Sequence, residues 1–314
     1  MLNLRTVVIT GASSFIGSHL VKHFAKNNWR VIAGHSRPIG EYSGIQKSRL
    51  SGLVEFAKFE CIDICDGENL QSVVDKINPY VWIQHAGYVE NYGSFEYNFS
   101  KGLEINAASV PKLFNAVLDG NCGLIFSGTE AEYGIKDTPH LEDDFPHPEF
   151  PYGLTKLAGT LAAQQYSQKT GVAARVARLY LPFGEDDNPN KLIPGVVSAL
   201  KMKKEIELSA CTQKRDFLSI MDIANAYLKL AEDLQNDNFE ILNICSGVAT
   251  TLSDFIISIA HKLNSDISLL KFGSKDMRPG EAPIIVGSNL KACKNLGWSP
   301  MNIDEAIDLY LEKH

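Results

Sequence analysis

The chain has 314 residues, 45% of them apolar and 21% charged, and a formal net charge of −7 at neutral pH. Those figures exclude a disordered or fibrous chain, and the acidic balance argues against nucleic acid as a partner, because phosphate binding needs a basic surface. The length suits one large core with an appended lobe, or two modest domains.

The first half alternates short apolar runs with helical periodicity. "RTVVIT" reads as a buried strand that breaks at Gly11, and from Phe15 the apolar residues Ile16, Leu20 and Phe24 mark one helix face. "WRVIAG" is a second strand, "VEFAKFECID" contains a third, and "NLQSVVDKI" is helical up to Pro79. "YVWIQHAG" is a fourth strand, followed by a long helical stretch around "INAASVPKLFNAVLDG". "CGLIFSG", the helix "YGLTKLAGTLAAQQYSQKTG" and the strand "VAARVARLY" complete the half. This alternation predicts a Rossmann-type, doubly wound parallel α/β sheet over residues 1–180.

After Leu181 the rhythm changes. "LPFGEDDNPNK" reads as a polar loop, "LIPGVVSALKMKK" as a helix, and "RDFLSIMDIANAYLKLAEDL" as a strand end capped by Asp222 into a helix. "FEILNICSG" is a strand, and "TLSDFIISIAHKL" a helix with Thr251 or Ser253 available as its cap. Residues 181–314 thus predict a smaller α+β lobe, with some segments returning to the main sheet. The six cysteines form no CxxC pair and lie at no metal-ligand spacing from a histidine, so no metal site is expected and small buried residues in a reducing cytosol are. No run approaches the ~20 apolar residues of a membrane span. The expected setting is cytoplasmic, without a membrane partner.

Three stretches carry chemistry. "VVITGASSFIGSHL" has Gly11, Ser14 and Gly17 in a GxxSxxG pattern between a strand and a helix. Backbone N–H groups at a helix start, with the positive end of the dipole, make a pyrophosphate site. Gly11 permits the turn, Gly17 permits close packing, and the Ser14 hydroxyl is able to donate to a phosphate. At the end of the second strand, where an acid usually holds the ribose of NAD, the chain has His35, Ser36 and Arg37. An arginine pairs with a 2′-phosphate, which favours NADP(H) over NAD(H). "YGLTK" places Tyr152 and Lys156 one helical turn apart on one face, and "FSGTEAEYG" offers Ser127 and Thr129 at the sheet's carboxyl edge. A free phenol has a pKa of ~10, too high for a base at neutral pH. A cation ~4 Å away at an effective dielectric of ~20 contributes about 4 kcal/mol, enough to lower it by up to ~3 units.

"TGASSFIG", "FSGTEAEYG", "YGLTK" and "QKRDFLSIMDIANAYL" resemble, in this order and over essentially the whole chain, the extended short-chain dehydrogenase/reductase family. Its members are NAD(P)-dependent epimerases, dehydratases and ketoreductases of nucleotide sugars. The resemblance implies that Thr129, Tyr152 and Lys156 are catalytic. It implies a cofactor site of Gly11, Ser13, Ser14, Phe15, Ile16, Gly17, Ser36, Arg37, Asp63, Ile64, His85, Ala86 and Gly87, with Tyr152 and Lys156. Glu130, Asn190, Lys191, Arg215 and Arg278 match contacts to a nucleotide-diphosphate sugar, and a homodimer through the helices around Asn106 to Leu118 and Tyr152 to Tyr166 is implied.

Departures from the family pattern narrow the reaction. Dehydrating members carry an Asp-Glu pair after the catalytic threonine; this chain has Glu130 and then Ala131. Galactose-type epimerases carry an asparagine after the sixth strand, where this chain has Leu181. The expected function is therefore an NADPH-dependent reductase of a nucleotide-linked 4-keto(-6-deoxy) sugar. A nucleotide-sugar 4-epimerase is the alternative, and a non-catalytic NADP-sensing protein a more distant one.

Overall fold

Seven strands of four to seven residues, most of them buried, form one parallel sheet in the computed structural model, which describes residues 4–234, 239–278 and 280–312. The strands of the first half are β1 (Thr6–Ile9), β2 (Arg30–His35), β3 (Lys58–Cys61), β4 (Val81–Gln84), β5 (Gly123–Thr129) and β6 (Ala174–Leu179). The helices between them are α1 (Phe15–Lys26), α2 (Gly44–Ser51), α3 (Gly67–Ile77), α4 (Phe99–Leu103), α5 (Ser109–Val117) and α6 (Pro151–Thr170). The long helical stretch expected after β4 is broken: a π-turn, Glu104–Ala108, joins α4 to α5.

The second half adds β7 (Leu181–Phe183), α7 (Leu192–Lys201), β8 (Ile206–Glu207), β9 (Lys214–Arg215), β10 (Phe217–Ser219), α8 (Ile220–Asp233) and β11 (Phe239–Ile244). It continues with β12 (Thr250–Thr251), α9 (Leu252–Lys262), β13 (Leu270–Lys271), β14 (Ile284–Ile285), α10 (Leu290–Leu296) and α11 (Ile303–Glu312). The main sheet runs β3-β2-β1-β4-β5-β6-β11, parallel throughout. Strand order reverses between β1 and β4, and a crevice opens at their carboxyl ends, where such sheets bind ligands. Three small sheets, β10-β7, β12-β9-β14 and β13-β8, build the second lobe.

Three apolar cores follow. Val7, Ile9 and Ile83 face α1 and α8, whereas Val8, Trp82 and Leu124 face α3, α5 and α6. Phe183, Phe217, Phe255 and Tyr310 fill the lobe. Each such side chain contributes about 1.5–3 kcal/mol by leaving water. Position 180 does not divide the cores: α8, β11, α10 and Trp298 all pack onto the first unit. Two local expectations are corrected. Residues Leu181–Phe183 of the expected loop pair as a strand with β10, and α8 is capped by Ser219, whose Oγ accepts from Met221 N at 3.2 Å. Ser219 leaves the strand extended (φ −60°, ψ 139°), so the helix begins before Asp222, whose carboxylate instead receives Met301 N. At α9 the cap position is Thr251. Among the described residues no helix is long and apolar enough to cross a membrane, and all six cysteines are free thiols.

Helix α6 is held against the π-turn by a glycine. A β-carbon on Gly159 would collide with the Asn106 carbonyl oxygen. Gly159→Ala is therefore expected to destabilise the protein by about 1–3 kcal/mol in urea unfolding, against a gain of under about 1 kcal/mol if the helices were free to part.

Candidate active site

The carboxyl edge of the sheet gathers the expected site residues that follow β1 to β5. After β1, Gly11 adopts φ +73° and passes so close to β4 that a β-carbon would stand 3.0 Å from Ala86 N. Only glycine meets both demands at no cost. Ser14 caps α1, its Oγ accepting from Gly17 N at 2.9 Å, which leaves the hydroxyl proton free to donate outward. The Thr10 hydroxyl oxygen receives His85 N at 3.1 Å and Ala86 N at 3.0 Å, locking β4's end to β1.

After β2, the Arg37 guanidinium lies 4.2 Å from the Tyr42 ring centroid and donates to Gln46 Oε1 at 3.2 Å. Asp63 follows β3, exposed, and accepts from Cys65 N at 2.8 Å, while Ile64 beside it is buried. His85 Nδ1 meets Ser127 Oγ at 2.8 Å, and Ser127 Oγ meets Tyr227 OH at 2.6 Å. Burial, and then the Lys156 charge, push the His85 imidazole down to about 4, so it is neutral at physiological pH.

β5 ends in Thr129, and the chain turns at Glu130–Glu132. Thr129 Oγ1 donates to Glu130 Oε2 at 2.8 Å and accepts from Ala131 N at 3.2 Å. Glu132 is fully buried: Oε1 receives Thr129 N at 3.0 Å, and Oε2 receives Thr160 Oγ1 at 2.8 Å and Arg178 Nε at 2.9 Å. One carboxylate thereby joins β5, α6 and β6.

Tyr152 and Lys156 project from the first turns of α6. Lys156 Nζ donates to Ser127 O at 2.5 Å, and burial pulls its ammonium below the usual range. The expectation that Lys156 holds the phenol low is not met by the chain alone. Burial first, then the Glu130 and Glu132 carboxylates, push Tyr152 well above the usual phenol range, and a hydrogen bond with Thr129 opposes them only in part. Burial also raises Glu130, with the Thr129 bond and the Arg215 charge opposing it.

Several residues of the site carry no local sequence signal. Tyr92 and Tyr97 set their rings edge-on against Tyr152 at 5.8 and 5.9 Å. The Tyr97 hydroxyl receives Asn106 Nδ2 at 3.0 Å, and Asn106 also bonds Thr155 Oγ1 and both backbone polar groups of Tyr88. Asn106 sits in the π-turn, a local distortion that often marks functional positions. Arg49 of α2, 8% exposed, donates to Ser13 O and twice to Asp186 O, clamping the glycine turn to the loop after β7.

The expected substrate residues lie across the crevice, on the second lobe. Asn190 N donates to Asn188 Oδ1, and Lys191 pairs with Asp187 at 3.0 Å while lying 5.7 Å from the Phe15 ring centroid. Arg215 on β9 bonds Glu281 Oε1 at 2.9 Å and Ala282 O at 2.9 Å, and its charge reaches Glu130. Arg278 is exposed and its charge acts on the Tyr92 hydroxyl; Pro279 beside it lies outside the described residues.

A family model described as NAD dependent epimerase/dehydratase family matches residues 7–245. The chain belongs to this family. It is 24% identical over 300 residues to CDP-abequose synthase of Salmonella typhimurium (94% of this chain, 93% of that protein). It is 26% identical over 313 residues to a putative UDP-glucose 4-epimerase of Methanocaldococcus jannaschii (96% and 95%). Among solved structures, the fold matches UDP-glucose 4-epimerase of Thermotoga maritima with UDP-glucose at a TM-score of 0.84, with 22% identity and coverage of 98% and 97%. The residues present fit the dinucleotide that the family name implies. Gly11 (φ +73°) shapes the turn that leads to the α1 amides, and at Gly87 a β-carbon would meet Asn106 Oδ1 at 2.9 Å, so glycine at both places keeps side chains out of the space beside the turn.

Glu132 is committed to three buried partners at once. Glu132→Ala strands the buried Arg178 charge and is expected to cost about 3–5 kcal/mol in chemical unfolding. A loss below about 1 kcal/mol would mean that the pair does not hold the three elements together.

Proposed function

We propose that this protein is an NADPH-dependent reductase of a nucleotide-diphosphate-linked 4-keto(-6-deoxy) sugar, acting at C4. Arg37 carries the choice of a reductase that consumes NADPH. It stands with Ser36 at the carboxyl end of β2, where no acid is present to repel a 2′-phosphate. NADP(H), when bound, supplies the hydride; NAD(H) is the poorer fit on the same argument. Gly11, Ser13, Ser14, Phe15, Ile16 and Gly17 offer the turn and amides for the pyrophosphate. Asp63 and Ile64 flank the adenine, and His85, Ala86 and Gly87 line the crevice toward the nicotinamide.

In this reading Tyr152 gives its proton to the oxygen at C4 as charge develops there, and Thr129 holds the same oxygen. Lys156, fixed by Ser127 O, orients the cofactor ribose and, with the oxidised cofactor's charge, opposes the burial that raises the phenol. Glu130 borders the sugar. Asn190, Lys191, Arg215 and Arg278 take the diphosphate, for which two arginines are suited by bidentate pairing. Dehydration finds no support: Ala131 replaces the second acid, and the nearest further carboxylate, Glu132, is committed to Arg178 and Thr160.

A 4-epimerase is the second reading, favoured by the names of two of the proteins that this chain resembles. A non-catalytic sensor accounts poorly for the joint placement of Thr129, Tyr152 and Lys156. The exposed Phe99, Leu154 and Leu161 of α4 and α6, with Leu118 just past α5, support a homodimer through these helices.

Two outcomes test the reading. Added to a panel of nucleotide-linked 4-keto sugars, the protein should oxidise NADPH stoichiometrically, and Tyr152→Phe should lower kcat by about 10²–10⁴. Tightly bound NAD in the purified protein, with no net NADPH consumption, would favour the epimerase instead. Arg37→Asp should raise KM for NADPH at least about tenfold, the equivalent of one charge-assisted contact, and leave KM for NADH nearly unchanged. An equal effect on both cofactors would remove Arg37 from the 2′-phosphate site.

A further inference from the structure

Strand β7 and helix α7 are joined by residues 184–191, the loop that ends in Asn190 and Lys191. Helices α1 and α2 hold this loop chiefly by its backbone. Arg49 of α2 donates through Nε and Nη2 to Asp186 O at 3.1 and 2.5 Å, and through Nη1 to Ser13 O at 3.4 Å. From α1, His19 Nε2 donates to Glu185 O at 2.9 Å, and Lys22 pairs with the Asp186 carboxylate at 3.4 Å. The centroid of the Phe15 ring, at the start of α1, is 5.9 Å from the Arg49 guanidinium carbon and 5.7 Å from Lys191 Nζ.

Two features make Arg49 more than a packing contact. Asp186 holds φ +64°, a left-handed conformation that persists in a residue other than glycine where its surroundings fix it. Its carbonyl accepts two of the three hydrogen bonds that the guanidinium makes, a fork that a single ammonium does not reproduce. The guanidinium is also buried, and among the described residues no carboxylate lies within ion-pair distance of it. Burial opposes its charge, and Asp187 and Asp186 offset this only from farther off.

We propose that Arg49 is a positioning residue that links the cofactor site to the substrate site. It seats the loop carrying Asn190 and Lys191 against the turn at Ser13, so that a nucleoside diphosphate binds more tightly once the dinucleotide is in place. The role rests on the reading of Asn190 and Lys191 as diphosphate contacts. A dinucleotide held at the α1 amides brings negative charge to the turn that Arg49 already bonds. Without that charge, keeping the Arg49 cation out of water opposes the clamp; with it, the clamp is favoured. The coupling is reciprocal, so the nucleoside diphosphate tightens the dinucleotide by the same factor.

Titration calorimetry with CDP, UDP, dTDP and GDP tests this, each with and without saturating NADP+ (or NAD+ where NADP+ does not bind). In the wild type the tightest of the four should bind at least about fivefold more tightly with the dinucleotide present. Arg49→Lys keeps the charge but not the fork, and there the factor should fall to about one. A second measurement needs no variant: the dinucleotide alone should slow amide exchange across residues 184–191 of the wild type. Equal affinity with and without dinucleotide in the wild type, coupling that survives in Arg49→Lys, or unchanged exchange in that loop would overturn the role. Each of these leaves the nucleotide-sugar reading standing. A wild type that binds none of the four nucleoside diphosphates would overturn that reading and the role together.

Discussion

The fully buried Glu132 carboxylate ties together the elements that carry the site. Removing a carboxylate from water costs several kcal/mol, and the cost is offset only because the Arg178 guanidinium, the Thr160 hydroxyl and the Thr129 amide all converge on it. Those partners come from β6, α6 and β5. The turn that presents Thr129 and Glu130 is thereby fixed against the helix that presents Tyr152 and Lys156. A site built this way is positioned before any ligand arrives, which is what hydride and proton transfer across a few ångströms require.

A second constraint acts from the opposite side. The π-turn brings Asn106 inward, where it anchors the Tyr97 hydroxyl and Thr155, and Tyr97 in turn packs against the Tyr152 ring. Gly159 and Gly87 let the backbones approach closely enough for this. The phenol ring is packed edge-on against Tyr92 and Tyr97. Burial there, with the Glu130 and Glu132 carboxylates nearby, keeps the phenol protonated.

The parts of this arrangement that were legible in the sequence are those with a local period. Apolar runs alternating with 3.6-residue spacing gave away the parallel sheet, and the four-residue interval from Tyr152 to Lys156 placed both side chains on one face. Positions at strand ends, such as Arg37 and Thr129, followed from the sheet, whereas Asp63 followed only from the resemblance to the family. Arg49, Tyr92, Tyr97 and Asn106 were not legible because their partners lie far away in the chain and leave no pattern nearby. Ser219 against Asp222 shows a finer limit: both are good caps, and only the extended backbone at Ser219 decides between them. The strand at Leu181–Phe183 was hidden because its pairing with β10 depends on the fold of the lobe. The raised phenol was hidden for the same reason, since sequence spacing supplies the nearby cation but not the burial that outweighs it.

The central claim, hydride delivery to a ketone from a rigid Thr129–Tyr152–Lys156 constellation, is tested most directly by isotope transfer. NADPH carrying deuterium at the transferring position should place one deuterium at C4 of the product sugar for each cofactor oxidised, read by NMR. Deuterium-free product, with the cofactor recovered in its starting redox state, would contradict the account.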